Sequence, residues 1–177
     1  MKWDKSYISP SAEQTLAFGR RLSAILAPGD VICLYGLLGS GKTCLVQGIC
    51  QGLACEINAV SPSFNLVNEY PGRLTVFHFD CYRLKGAEEL DQIGYHDYLG
   101  QEGVVIIEWA ERIADSLPEE RLDIGLERIS DQWRRITPKP RGKRWESIFE
   151  SQFISDLYNN KSPGSPWLEG NGREVSN

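Results

Sequence analysis

The sequence contains no C-x-x-C pair, although it holds five cysteines, and their spacing fits neither zinc ligation nor the disulfide frame of a small secreted domain. Reduced thiols are the expectation. No apolar run approaches the length of a membrane span, and Met1-Lys2-Trp3-Asp4-Lys5 lacks the apolar core of a signal peptide. These absences set the expectation of a cytoplasmic protein with no membrane contact. An excess of positive charge is missing too: 19 Lys and Arg against 24 Asp and Glu leave a net charge of −5. Bulk electrostatics therefore does not favour non-specific binding to nucleic acid, and any contact with RNA needs a local patch or a partner protein. No internal repeat is present. The hydrophobic share of 41% over 177 residues is slightly low for one globular domain. A polar end accounts for it, since the chain turns to Asn, Ser, Pro and Gly after about Tyr158. One folded domain is expected over residues 1–158, followed by a disordered polar tail over 159–177.

What the chain does have is a strand, a glycine loop and a helix in succession between Asp30 and Leu53. Val31-Ile32-Cys33-Leu34-Tyr35 is apolar and of strand length. Gly36-Leu37-Leu38-Gly39-Ser40-Gly41-Lys42-Thr43 fits G-x-x-x-x-G-K-[ST], the phosphate loop, and Leu45, Val46, Ile49 and Leu53 follow at helical spacing. Gly36, Gly39 and Gly41 let successive N–H groups turn inward without a Cβ in the way. The helix N-terminus adds partial positive charge where phosphates would sit. Lys42 can reach β- and γ-phosphates, and the Thr43 hydroxyl can ligate Mg²⁺. Nucleotide binding is the reading of this stretch, against a glycine-rich turn that matches by accident.

Such a loop needs a partner carboxylate that holds the metal through water and orients the nucleophile. Leu74 to Asp80 reads as a strand, paired as a hairpin with Leu66 to Tyr70 across the Pro71-Gly72 turn. Val104-Val105-Ile106-Ile107 is apolar on both faces, as in a buried central strand, and delivers Glu108-Trp109 at its C-terminal end. Ligands of open α/β sheets bind outside those ends. Asp80 and Glu108 are thus the candidate Mg²⁺-side and water-activating acids, against the plainer reading of carboxylates that cap strands or pair with an arginine such as Arg83. The expected fold is α/β, a single phosphate-loop domain with a mixed sheet flanked by helices.

Other residues carry weaker signals. Ser11 with Gln14 three residues on marks the start of a helix whose apolar face is Phe18, Leu22, Ile25 and Leu26. Ser63 sits in a turn suited either to answering a γ-phosphate, as switch loops do, or simply to bracing itself. A lone strand histidine such as His78 is by default structural, and Trp109 is by default core, with stacking or gating near the site as its alternative. Gly86 to Leu99 reads as one or two short helices, and Leu122 to Ile129 and Trp133 to Thr137 as a last pair of strands. Arg134, Arg135, Lys139, Arg141, Lys143 and Arg144 form a basic run without an acid, a solvated strand and loop by default and a contact for nucleotide, RNA or an acidic partner otherwise.

The order of motifs resembles the bacterial TsaE (YjeE) family, the ATPases of tRNA threonylcarbamoyladenosine biosynthesis. The resemblance rests on the glycine loop, Ser61-Pro62-Ser63-Phe64-Asn65-Leu66-Val67, His78-Phe79-Asp80-Cys81-Tyr82-Arg83-Leu84 and Glu108-Trp109, and covers about Ser11 to Thr137. It implies a compact ATPase that uses ATP and Mg²⁺ and acts with TsaB and TsaD homologues on the adenosine beside the anticodon, meeting tRNA indirectly through that complex. It implies further that Lys42 and Thr43 hold phosphate and Mg²⁺, that Glu108 is the metal-side carboxylate, that Asp80 supports hydrolysis and that Ser63 takes the switch-like hydroxyl position. Ser11 and Arg134 fall near family positions that approach the nucleotide. The chain departs from the family at Leu37, where Asp is usual, at Ser40, where Ala is usual, and at Ser63, which replaces Thr and keeps a hydroxyl.

The rival readings are a small-molecule phosphate-loop kinase and a nucleotide-dependent interaction module. The kinase would carry an arginine-bearing lid, which is not found between the two acidic strands. A GTPase switch is disfavoured, because the chain lacks N-K-x-D and Asp80 is followed by Cys81-Tyr82-Arg83 rather than by the D-x-x-G pattern.

Overall fold

The computed structural model describes residues 5–56, 59–62, 66–84, 89–90 and 93–151. The expectations for Ser63 and for the 159–177 tail lie outside these residues. In chain order the elements are β1 (Tyr7–Ser9), α1 (Ala12–Leu22), β2 (Val31–Tyr35), α2 (Lys42–Gly52), β3 (Val67–Tyr70), β4 (Thr75–Asp80), α3 (Tyr95–Leu99), β5 (Gly103–Glu108), β6 (Arg121–Arg128), β7 (Arg134–Arg141) and α4 (Lys143–Glu150). Short 3₁₀ turns cover Ser23–Ile25 and Ala110–Ser116.

The strands form one mixed seven-stranded sheet in the order β1-β7-β6-β2-β5-β4-β3. Its centre, β6, β2, β5 and β4, is parallel, while β3, β7 and β1 run antiparallel to their neighbours. Parallel strands must be covered on both faces, and the sequence alternation divides accordingly. Ile32 and Leu34 of β2, Val104 and Ile106 of β5 and Val76 of β4 pack with Phe18, Leu45, Ile49 and Trp145 of α1, α2 and α4. Val31, Cys33, Val105, Ile107, Phe77 and Phe79 point the other way, onto Tyr95, Ala110 and Ile113. With roughly 1.5–3 kcal/mol per fully buried large aliphatic side chain, these two layers outweigh the exposed ion pairs, such as Arg128 with Asp131, worth about 0–1 kcal/mol each.

The strand parity decides where the acids go. On β4 the side chains of Val76, His78 and Asp80 share the α1/α2 face, and on β5 Val104, Ile106 and Glu108 do the same. Asp80 and Glu108 are register partners at the C-terminal ends of these strands, and Leu34 pairs with Glu108 on the other side.

The hairpin of β3 and β4 forms as its turn signal predicts. Ser11 caps α1 by accepting from the Gln14 backbone N–H, but the Gln14 side chain accepts from the Tyr7 hydroxyl. The last elements differ from the expectation. The basic run, expected as a solvated strand and loop, is the strand β7 in its first part, but Lys143 and Arg144 open α4, a helix the sequence reading missed. Three of its charges pair with acids on other elements, Arg135 with Glu127 and Arg141 with Asp123 on β6 and Arg144 with Asp30 before β2. The Arg144 guanidinium grips both Asp30 oxygens, at 2.7 and 2.8 Å, while Trp145 and Phe149 enter the core. Pro138 and Pro140 look unfit for a strand, yet they lie beyond the stretch of β7 that β1 covers. There one side of β7 needs no donor. Among the described residues no helix is long and apolar enough to cross a membrane.

Helices α1 and α2 approach closely through glycine. A Cβ on Gly48 would lie 2.3 Å from the Leu16 carbonyl oxygen, a backbone atom that no rotamer change can move. Gly48→Ala gains about 1 kcal/mol of helix propensity but forces the helices apart, an overpacking loss of roughly 1–3 kcal/mol or more. The midpoint of urea unfolding is expected to fall, and a variant more stable than its parent would contradict this packing.

Candidate functional site

The glycine loop leaves β2 at its C-terminal end and enters α2 at Lys42. Gly36, Gly39 and Gly41 all hold positive φ. Gly36 is the most constrained, with φ +146° and a would-be Cβ only 2.2 Å from the Leu126 carbonyl oxygen, so any side chain there would push the loop off β6. In front of the loop lies a cavity of about 470 Å³, lined by residues 38–44 together with Ser61, Asp80, Tyr82, Arg83, Glu108 and Trp109.

Inside it several polar side chains hold one another, while the Ser40 hydroxyl is buried without a hydrogen-bond partner among the described residues. The Thr43 hydroxyl donates to Glu108 Oε1 at 2.8 Å, and His78 Nε2 meets the same oxygen at 3.0 Å. Asp80 accepts from the Ser61 hydroxyl and, at 3.0 Å, from the Tyr82 backbone N–H. The Lys42 ammonium donates to the carbonyls of Gly36 (2.7 Å) and Leu37 (3.2 Å) and lies 3.7 Å from the centre of the Trp109 ring. Burial pushes the Lys42 pKa down, while Glu108, Glu111 and Asp80 nearby favour its charged form. Trp109 reaches the ammonium from a left-handed backbone, φ +59°, unusual for a bulky residue and typical of functional turns. Leu37 and Leu38, at the loop tip, are 81% and 80% exposed.

A second cavity of about 350 Å³ adjoins the loop through Gly41 and Cys44, which line both spaces. Ser11, Ala12, Thr15, Asp131, Gln132 and Arg134 complete it. Ser11 and Arg134, distant in sequence, thus line one cavity, with Arg134 anchored by the carbonyls of Ser130, Asp131 and Trp133.

The structure therefore brings Lys42, Thr43, Asp80 and Glu108 to one cavity and Ser11 and Arg134 to its neighbour. The sequence reading left out Ser61 and Tyr82, gave His78 only its default role, and offered Trp109 a stacking or gating role beside its default one. For the first two the available signal was proximity to motif residues; for His78 it was the shared strand face with Asp80.

The donor chemistry fits a magnesium–nucleotide pair. Hard oxygen ligands, one hydroxyl and one or two carboxylates, stand beside backbone N–H groups and a lysine. Among the described residues no cluster of three or more His, Cys, Asp or Glu side chains forms a closed metal cage. Mg²⁺ commonly binds in this way, through few protein ligands plus phosphate oxygens.

A mixed sheet whose parallel strand ends meet a G-x-x-x-x-G-K-T loop, backed by two acids in register, defines a phosphate-loop α/β domain. The family model described as "Threonylcarbamoyl adenosine biosynthesis protein TsaE" matches residues 9–136, and the chain belongs to the TsaE family. Similar proteins include tRNA threonylcarbamoyladenosine biosynthesis protein TsaE of Treponema pallidum, 41% identical over 73% of this chain and 96% of that protein. The protein of the same name from Bacillus subtilis is 37% identical over 84% of this chain and 93% of its own. The crystal structure of Bacillus subtilis YdiB superposes with a TM-score of 0.72 at 33% identity, covering 89% of this chain and 95% of that one.

Thiol chemistry offers a check of the geometry. Cys33, Cys50 and Cys81 are buried, whereas Cys44 and Cys55 are partly exposed. Burial raises all five thiols, Cys81 to about 12. Limited alkylation at pH 8, mapped by mass spectrometry, is expected to label Cys44 and Cys55 at least about tenfold faster than the other three. Early labelling of Cys33 would contradict the packing.

Proposed function

We propose that this protein is the ATP-binding and ATP-hydrolysing subunit needed for threonylcarbamoyl modification of the tRNA adenosine next to the anticodon, working with TsaB and TsaD homologues and meeting tRNA through them. The observation that carries the ATPase part is the Thr43–Glu108 hydrogen bond of 2.8 Å under the glycine loop, with Asp80 beside Glu108 in register. The family to which the chain belongs supports the part that concerns tRNA.

In this reading the loop N–H groups and the start of α2 hold the β- and γ-phosphates. Lys42 exchanges its two carbonyl partners for phosphate oxygens, and Trp109 keeps water from the ammonium. Thr43 and Glu108 are the residues that would hold Mg²⁺, which when bound supplies charge neutralisation on the phosphate oxygens. Asp80, fixed by Ser61 and Tyr82, orients the attacking water. That water's oxygen bonds to the γ-phosphorus as the bond to the ADP oxygen breaks, and the Asp80 carboxylate takes the proton. Ser11 and Arg134 line the side on which the nucleoside would extend. Cellular work with these partners is cytoplasmic, without a membrane role.

Cys44 lines both cavities and Cys55 neither, so one protein carries probe and control. Saturating ATP with Mg²⁺ is expected to slow alkylation of Cys44 by about tenfold and leave Cys55 unchanged. In Lys42→Ala the ATP concentration needed should rise about tenfold or more, since a charge-assisted phosphate contact is lost. Equal protection in parent and variant, or none in the parent, contradicts the nucleotide reading.

A further inference from the structure

His78 is fully buried on β4, and its Nε2 lies 3.0 Å from Glu108 Oε1, the oxygen that also accepts from Thr43. A carboxylate only accepts, so the proton between them sits on Nε2. The other ring nitrogen, Nδ1, is buried with no hydrogen-bond partner among the described residues. A histidine kept only to brace the sheet gains little from such a position, because an aliphatic residue would fill it without an orphaned nitrogen. The polar contact that His78 does make is directed at the carboxylate facing the loop. Strand pairing holds it there: His78 is the register partner of Ile106, two residues before Glu108 on the same face of β5.

We propose that His78 is a positioning residue, whose Nε2–H fixes one Glu108 oxygen so that the carboxylate meets the divalent cation and the Thr43 hydroxyl in a single orientation. The proposal rests on the nucleotide-binding reading above and deepens it. His78 touches neither nucleotide nor metal and acts through Glu108. Partners of this kind around metal-side ligands change metal affinity by about 10–100-fold when removed.

The test uses Mn²⁺ as a paramagnetic substitute for Mg²⁺, with ADP and the full chain, and reads bound metal by electron paramagnetic resonance. His78→Leu fills the space without a donor, His78→Asn retains polarity but falls short of the Nε2 position, and His78→Gln places an amide N–H close to it. Leu and Asn are expected to weaken Mn²⁺ binding by about 10–100-fold, and Gln by no more than about threefold. ADP affinity without metal should stay within about threefold throughout, because the loop is intact. Thermal unfolding is measured for each variant, and Asn serves where Leu does not fold. Parental Mn²⁺ affinity in a folded Leu or Asn variant overturns the proposal. So does a loss in Gln as large as that in Leu, which would mark His78 as a packing residue. A parent that binds no ADP in either condition overturns the nucleotide reading itself, and the positioning role with it.

Discussion

One carboxylate oxygen joins three elements. Glu108 Oε1 accepts from Thr43 at the start of α2 and meets His78 of β4, while Glu108 itself ends β5. The contact depends on register: a slip of one residue in β4 or β5 would turn Asp80 or Glu108 to the opposite face, away from α2. Burial of both sheet faces forbids that slip, since it would also exchange Val104 and Ile106 with Val105 and Ile107 between two differently shaped layers. The hydrophobic alternation thus positions the polar site. The chemistry comes afterwards, from which residues stand at the strand ends.

The site also shows how its charges are kept without ligand. Lys42 rests on two loop carbonyls beneath Trp109, Glu108 on two donors and Asp80 on two more. Each partner is a group that a polyphosphate, a cation or a water can replace or share, so loading the site exchanges hydrogen bonds rather than exposing bare charge. The left-handed backbone at Trp109 belongs to the same arrangement, because it brings the ring over the lysine directly after the last strand residue.

Much of this was legible in the sequence because it is local. The glycine loop, the apolar strands on either side of it and the acids that end them are each contained in a few neighbouring residues. The chain ends of β4 and β5 could be placed together because parallel strands in such sheets present their C-terminal ends to one site. What escaped was non-local. Arg144 reads as one charge in a basic run until Asp30 is placed beside it. The last strand, expected to end at Thr137, runs on to Arg141 through Pro138 and Pro140 because β7 is partly uncovered there. His78 lies one strand away from the acid it holds, 30 residues apart in sequence, and no spacing rule links them.

The central claim is that the Glu108 carboxylate serves hydrolysis rather than nucleotide affinity. Glu108→Gln keeps the shape and removes the charge, and single-turnover hydrolysis beside equilibrium ATP binding measures the two roles separately. The account predicts hydrolysis slower by about a hundredfold or more, with ATP affinity changed far less because the loop and Lys42 remain. Hydrolysis at the parental rate, both for the protein alone and with the TsaB and TsaD homologues proposed as its partners, would contradict it.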